Sequence, residues 1–178
     1  MPPKPRLFHV SETAGIARFE PRPPPSPDAG VVGDAVWAVA ESHLVNFLLP
    51  RDCPRICFRA GPGTTRADRE RFLAGARMVI AVELDWFERI AATVLHIYEM
   101  PPATFEEALP EAGYWISRQA VRPLSERAPE NLFQALNDCG AEVRRLAEFW
   151  PLADEVAASS LQFSIIRSRN ARPRGASA

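Results

Sequence analysis

Lysine is almost missing from this chain. Lys4 is the only one among 21 basic residues, and the others are arginine. That bias, with abundant Ala and Pro, fits a GC-rich coding sequence. Where the arginines cluster they also offer bidentate forks to phosphate or carboxylate. Cysteine is scarce as well. Cys53, Cys57 and Cys139 are an odd number, which argues against a disulfide framework and for a reducing, cytoplasmic setting. No charge of one sign predominates: 21 basic residues face 22 acidic ones, for a net charge of −1. Global steering to nucleic acid or a membrane surface is therefore excluded. No apolar run approaches the roughly 18 residues of a membrane span, and MPPKPRLFHV lacks the apolar segment of a signal peptide. The GxGxxG, Walker A, HExxH and GxSxG motifs are absent. The GPG at 61–63 has neither the length nor the following Lys of a phosphate loop.

What is present is an ordinary globular composition: 178 residues, 47% hydrophobic and 24% charged. That is enough for one domain with a real core. Strand signals fall at Leu7–Val10, Ala35–Ala40, Arg55–Ala60, Met78–Leu84, Val94–Met100, Tyr114–Val121, Val143–Leu146 and Leu161–Arg167. Helical signals fall at His43–Leu49 after a Ser42 cap, Ala67–Ala76, Asp85–Ala92, Thr104–Leu109, Pro129–Cys139 and Trp150–Ala158. The Pro-rich stretch 21–27 reads as a surface loop. The regular strand-then-long-helix alternation of a doubly wound sheet is missing. The expectation is one α+β domain over 1–171, with a bent, mostly antiparallel sheet and short helices. A disordered tail is expected over 172–178.

Several residues invite a functional reading. LLPRDCPRICF places Arg51, Asp52 and Arg55 between Pro50 and Pro54. They either pin a helix-to-strand corner or present guanidinium groups to a diphosphate. Cys53 and Cys57 are not a metal pair: Pro54 blocks a helical turn, and in a strand four residues span about 13 Å. No metal is expected. His9 lies near a strand end, with Ser11 and Glu12 following it. His43 reads as surface and His96 as packing. Glu83 sits in the buried-strand signal VIAVEL, where a carboxylate must be paired or shifted in pKa. Glu99 competes with it for a site role. Tyr114, Trp115 and Ser117 offer a stacking face and a hydroxyl. Arg167, Arg169, Arg172 and Arg174 form a basic stretch that either is solvated or binds RNA.

The pattern LFHVSE…FEPR…VWAV…HLVNFLLPRDCPR…YWIS…LQFSIIRSRNA resembles an uncharacterised bacterial family, a domain of unknown function, from about Arg6 to Ala171. A first strand ending in His-x-Ser, followed by a strand and a short helix, also resembles the ADP-ribosyltransferase-like fold and its RNA 2′-phosphotransferase branch. That second resemblance implies a nucleotide ligand, NAD, and either ADP-ribose transfer to a protein or nucleic-acid acceptor or cleavage of the nicotinamide glycosidic bond. It implies His9 and Ser11 at a ribose, Trp37 or Tyr114 against nicotinamide with Ser117 nearby, Glu83 or Glu99 as the catalytic carboxylate, and Arg51 or Arg55 on the diphosphate. A non-catalytic binding or interaction module of the same fold is the alternative.

Overall fold

The computed structural model describes residues 4–24 and 30–175. Part of the Pro-rich loop and the end of the expected tail lie outside them. Ten strands are present among the described residues: β1 (Leu7–Ser11), β2 (Val36–Ala40), β3 (Arg55–Arg59), β4 (Met78–Glu83), β5 (His96–Met100), β6 (Phe105–Leu109), β7 (Tyr114–Ser117), β8 (Ser125–Arg127), β9 (Ala141–Leu146) and β10 (Gln162–Ile166). The helices are short: α1 (Arg66–Asp68), α2 (Phe87–Ala92), α3 (Leu132–Asp138) and α4 (Phe149–Ala157), with several single 3-10 turns. The α+β class is as expected. The sheet is not one but two: six strands in the order β6-β7-β2-β1-β5-β8, and four in the order β10-β3-β4-β9. The chain divides accordingly into two compact units. Unit 1 runs to Phe47 and resumes over Val94–Glu130; unit 2 comprises Leu48–Thr93 and the chain from Asn131 on.

Unit 1 is antiparallel throughout. One face of its sheet buries Leu7, Val36, Ala38, Tyr98 and Phe105, joined by Phe19 and Val121. Phe19 and Val121 hold each other through paired backbone bonds of 2.8 and 2.9 Å. Thr104–Leu109, expected as helix, is a 3-10 turn at Pro102–Thr104 leading into β6. Pairing with β7 overrides the helix preference of Glu, Ala and Leu, which is only a weak prior. The strand expected to reach Val121 ends at Ser117. β8 carries no apolar alternation, and all three of its residues are exposed. Only its partner β5 makes it a strand.

Unit 2 is built on β4, whose six residues are all buried. Each fully buried Val or Ile there contributes about 1.5–3 kcal/mol. β4 pairs antiparallel with β3 and parallel with β9, so this sheet is mixed. Ile56, Phe58, Phe72, Phe149, Val156 and Leu161 complete its core. The helix expected over Ala67–Ala76 is broken into α1 and a π turn at Arg69–Leu73, closed by Ala74 (φ 48°) and Gly75 (φ 95°) in left-handed backbone. The expected tail departs from disorder as far as Gly175. Arg172 donates its backbone N–H to both oxygens of Glu83 at 3.2 and 3.3 Å, and Arg174 forks onto Asp154 at 2.6 and 2.9 Å. The sequence has no apolar run there because main-chain and charge contacts do the docking.

Two outcomes follow from this fold. Burial pushes the Cys53 and Cys57 thiols up to about 12, while Cys139 is exposed. A thiol reagent at neutral pH should label Cys139 alone in the native protein and all three after denaturation; native labelling of Cys57, read by peptide mass, would contradict the packing. Asp68 accepts bonds from the backbone and hydroxyl of Ser160, and chiefly through them its carboxyl is held below the usual range. A depressed folded pKa adds stability above the unfolded value, about 3.9, and that stability is lost as pH falls through the folded value. The melting midpoint of Asp68→Asn should therefore fall less than wild type between pH 6 and pH 3; a parallel fall would contradict the assignment.

Candidate functional site

The strand register decides which polar groups of unit 1 meet. Along β1 and β5 the partners are Phe8 with Glu99, His9 with Tyr98, and Ser11 with His96. Along β5 and β8, Tyr98 faces Glu126. Directly opposed side chains share a sheet face, and alternate residues of one strand do too. His9, Ser11, His96, Tyr98 and Glu126 therefore occupy one face near the end of the β1–β5–β8 ribbon. Glu99 lies on the other. There it accepts a two-pronged bond from Arg6 at 2.9 and 3.0 Å, which holds its carboxyl below the usual range. Val39 pairs with Phe8 and with Tyr114, so Trp37 and Tyr114 share the face of Glu99. Their rings meet edge to face at 5.6 Å. Ser117 returns to the His9 face but is fully buried, with Thr104 Oγ1 at 2.9 Å and Gln119 O at 3.1 Å.

On the His9 face the contacts are specific. The β1–β2 ladder ends at Phe8–Val39, and His9 Nδ1 then reaches the Trp37 carbonyl at 2.8 Å. A carbonyl only accepts, so this nitrogen carries a proton. The ring packs on Phe19 with centroids 4.7 Å apart. His96 Nδ1 meets a Glu126 carboxylate oxygen at 2.7 Å, with the two side chains 16% and 31% exposed. Glu126 also accepts the Gly15 N–H at 3.2 and 3.1 Å. Gly15 has φ 68°, left-handed backbone that a residue with a Cβ adopts only with strain. Tyr98 donates to Thr13 O at 2.7 Å and accepts from Ile16 N at 3.2 Å; burial pushes its phenol up, so it remains a donor. Loop 12–16 is thus tied to β5 and β8 by Tyr98 and Glu126.

The result is a histidine whose Nδ1 is fixed on a carboxylate. That selects the tautomer with a lone pair on Nε2, the arrangement a general base needs. Among the described residues no group hydrogen-bonds His96 Nε2. Ser11, its cross-strand neighbour, accepts the Thr13 N–H at 3.0 Å. Neither His96 nor Glu126 was expected in a site. His96 lies between Leu95 and Ile97 and reads as packing, and Glu126 lies in a short polar strand with no pattern. One signal existed: His96-Ile97-Tyr98 repeats the histidine–apolar–hydroxyl spacing of His9-Val10-Ser11.

The remaining expected residues belong to unit 2. Arg55 is buried, and its Nη1 donates to Pro50 O at 3.1 Å and Cys53 O at 3.0 Å. It closes the Pro50–Arg55 corner. The backbone oxygens of Arg51 and Asp52 accept from Arg167 and Asn170 at 3.2 and 2.7 Å, fixing the corner to the chain beyond β10. Glu83, 2% exposed, takes the Arg172 backbone N–H as described. No group of three or more His, Cys, Asp or Glu among the described residues could hold a metal ion, and no helix among them is long and apolar enough to cross a membrane.

A family model described as a family of unknown function (DUF6886) matches residues 8–171. The chain belongs to that family, the kind of uncharacterised family its sequence resembles. No curated protein and no solved structure matches the chain.

The tautomer is open to direct measurement. At pH 8.5 a nitrogen-15 correlation spectrum should show His96 protonated at Nδ1, and Glu126→Ala should move the proton to Nε2. A wild-type spectrum with His96 protonated at Nε2 would contradict the geometry.

Proposed function

We propose that unit 1 binds a ribose-bearing nucleotide, with NAD as the first probe, on the face carrying His9, Ser11 and His96, and that the His96–Glu126 pair is its acid–base group. The observation that carries this reading is the 2.7 Å contact between His96 Nδ1 and Glu126 directly across from Ser11. The His-x-Ser strand end supports a ribose contact through His9 and Ser11. Glu126, rather than Glu99, is the carboxylate that shares their face. In an ADP-ribosyl transfer the glycosidic bond breaks and nicotinamide leaves with the bonding electrons. The acceptor oxygen bonds to the ribose carbon, and its proton passes to His96 Nε2. The negative charge of Glu126 stabilises the imidazolium so formed.

Calorimetric titration of NAD and ADP-ribose, beside a chromatographic assay for released nicotinamide, tests the reading. Wild type should bind at submillimolar concentration. His9→Ala should weaken binding at least tenfold without lowering the melting midpoint by more than a few degrees. His96→Ala should still bind but release nicotinamide about 10²–10⁴-fold more slowly, the usual worth of a positioned acid–base group. Binding without nicotinamide release would leave a non-catalytic binding module. No binding of either ligand at millimolar concentration would end the nucleotide reading. The RNA reading loses ground because two of its four arginines, Arg172 and Arg174, are already paired with Asp85 and Asp154.

A further inference from the structure

Residues 172–175 form one wall of a cleft of about 190 Å³ in unit 2, and Glu83, Glu148, Phe149, Trp150 and Asp154 are among its other walls. The manner of seating is that of a bound peptide. The main chain of Arg172 is gripped from both sides: its N–H by the Glu83 carboxylate, at 3.2 and 3.3 Å, and its carbonyl by Trp150 Nε1 at 2.8 Å. Pro173 then restricts the backbone. The two flanking side chains are read separately. The Arg172 guanidinium meets Asp85. The Arg174 guanidinium forks onto Asp154 and lies 4.2 Å over the Trp150 ring. Carboxylate fork and aromatic face together discriminate arginine from lysine, while the main-chain clamp holds any residue at position 172.

The seat and its occupant are unequal in permanence. Glu83 is 2% exposed, and among the described residues the hydrogen-bond donor to its carboxylate is the N–H of Arg172. A buried carboxylate without donors is strongly unfavourable, so displacing the arm from Glu83 demands a replacement donor. The arm itself is held outside Glu83 and Trp150 by exposed pairs, with Arg174 and Asp154 58% and 59% exposed. Such pairs hold weakly. It leaves β10 through Arg167, a non-glycine residue at φ 56°, and a 3-10 turn at Ser168–Asn170. We propose that the seat formed by Glu83, Asp85, Trp150 and Asp154 is a recognition site for an extended peptide segment of a partner protein carrying two arginines separated by one residue, and that the chain's own 172–175 arm occupies it in cis. A tethered arm competes at an effective concentration in the millimolar range, so a partner enters only where its segment outbids the arm or the arm is weakened.

The test uses full-length protein carrying Arg172→Ala and Arg174→Ala together, and a fluorescent peptide with the sequence of residues 169–175. The substituted protein should bind the peptide at least tenfold more tightly than wild type. Replacing both peptide arginines with alanine, or adding Asp154→Asn to the protein, should cost at least tenfold in affinity. Should the double substitution unfold the protein, a chain ending at Ala171 serves for the same comparison. Equal binding by wild type and variant, or indifference to the peptide arginines, would overturn the proposal. Failure of both variants to fold would also overturn it, since the arm would then be structure rather than occupant.

Discussion

The Glu126 carboxylate is the tie on which unit 1's candidate site depends. It accepts hydrogen bonds from His96 Nδ1–H and the N–H of Gly15, so one side chain sets the imidazole tautomer and, with Tyr98, the position of the loop after Ser11. The tie costs little in desolvation because β8 is the outermost strand of its sheet and Glu126 remains partly exposed. A hydrogen bond to a charged acceptor is worth about 1.5–3 kcal/mol, and the loop is held by this bond together with the two that Tyr98 makes to Thr13 and Ile16. The same bond leaves the neutral His96 ring with its lone pair on Nε2, the form the proposed base role requires.

Unit 2 handles its buried carboxylate differently. Glu83 ends a strand that is otherwise wholly apolar, and it binds main chain rather than a side-chain cation. A main-chain partner places no demand on the sequence of the bound segment, while Asp85, Asp154 and Trp150 do. Affinity and selectivity are thereby separated, as in other modes of extended-peptide recognition.

Much of the architecture was legible in the chain. Met78–Val82 announced a strand buried on both faces. The helical signal ending at Cys139 was right about the end of α3, where Gly140 takes left-handed backbone at φ 76°. The Arg55 corner could be posed as a question, and the two carbonyls that its guanidinium reaches give it a structural role. What the chain concealed was pairing. Parity along VLHIYEM separates His96 from Glu99, but only the register Phe8–Glu99 and His9–Tyr98 shows that Glu99 is on the wrong side of the sheet from His9. β8 has no local signature, so Glu126 could be found only through its partner. The tail from Arg172 on was read as disordered because apolar content was the criterion, whereas residues 172–175 are anchored by electrostatic and main-chain contacts.

His9, Ser11, His96 and Glu126 are proposed to form one ligand-binding surface. Titration of isotopically labelled protein with ADP-ribose, followed residue by residue through amide and imidazole chemical shifts, tests it most directly. The largest changes are expected at His9, Ser11, Thr13, Gly15 and His96, saturating together with a single affinity. Changes confined to unit 2, or none at saturating ligand, would contradict it.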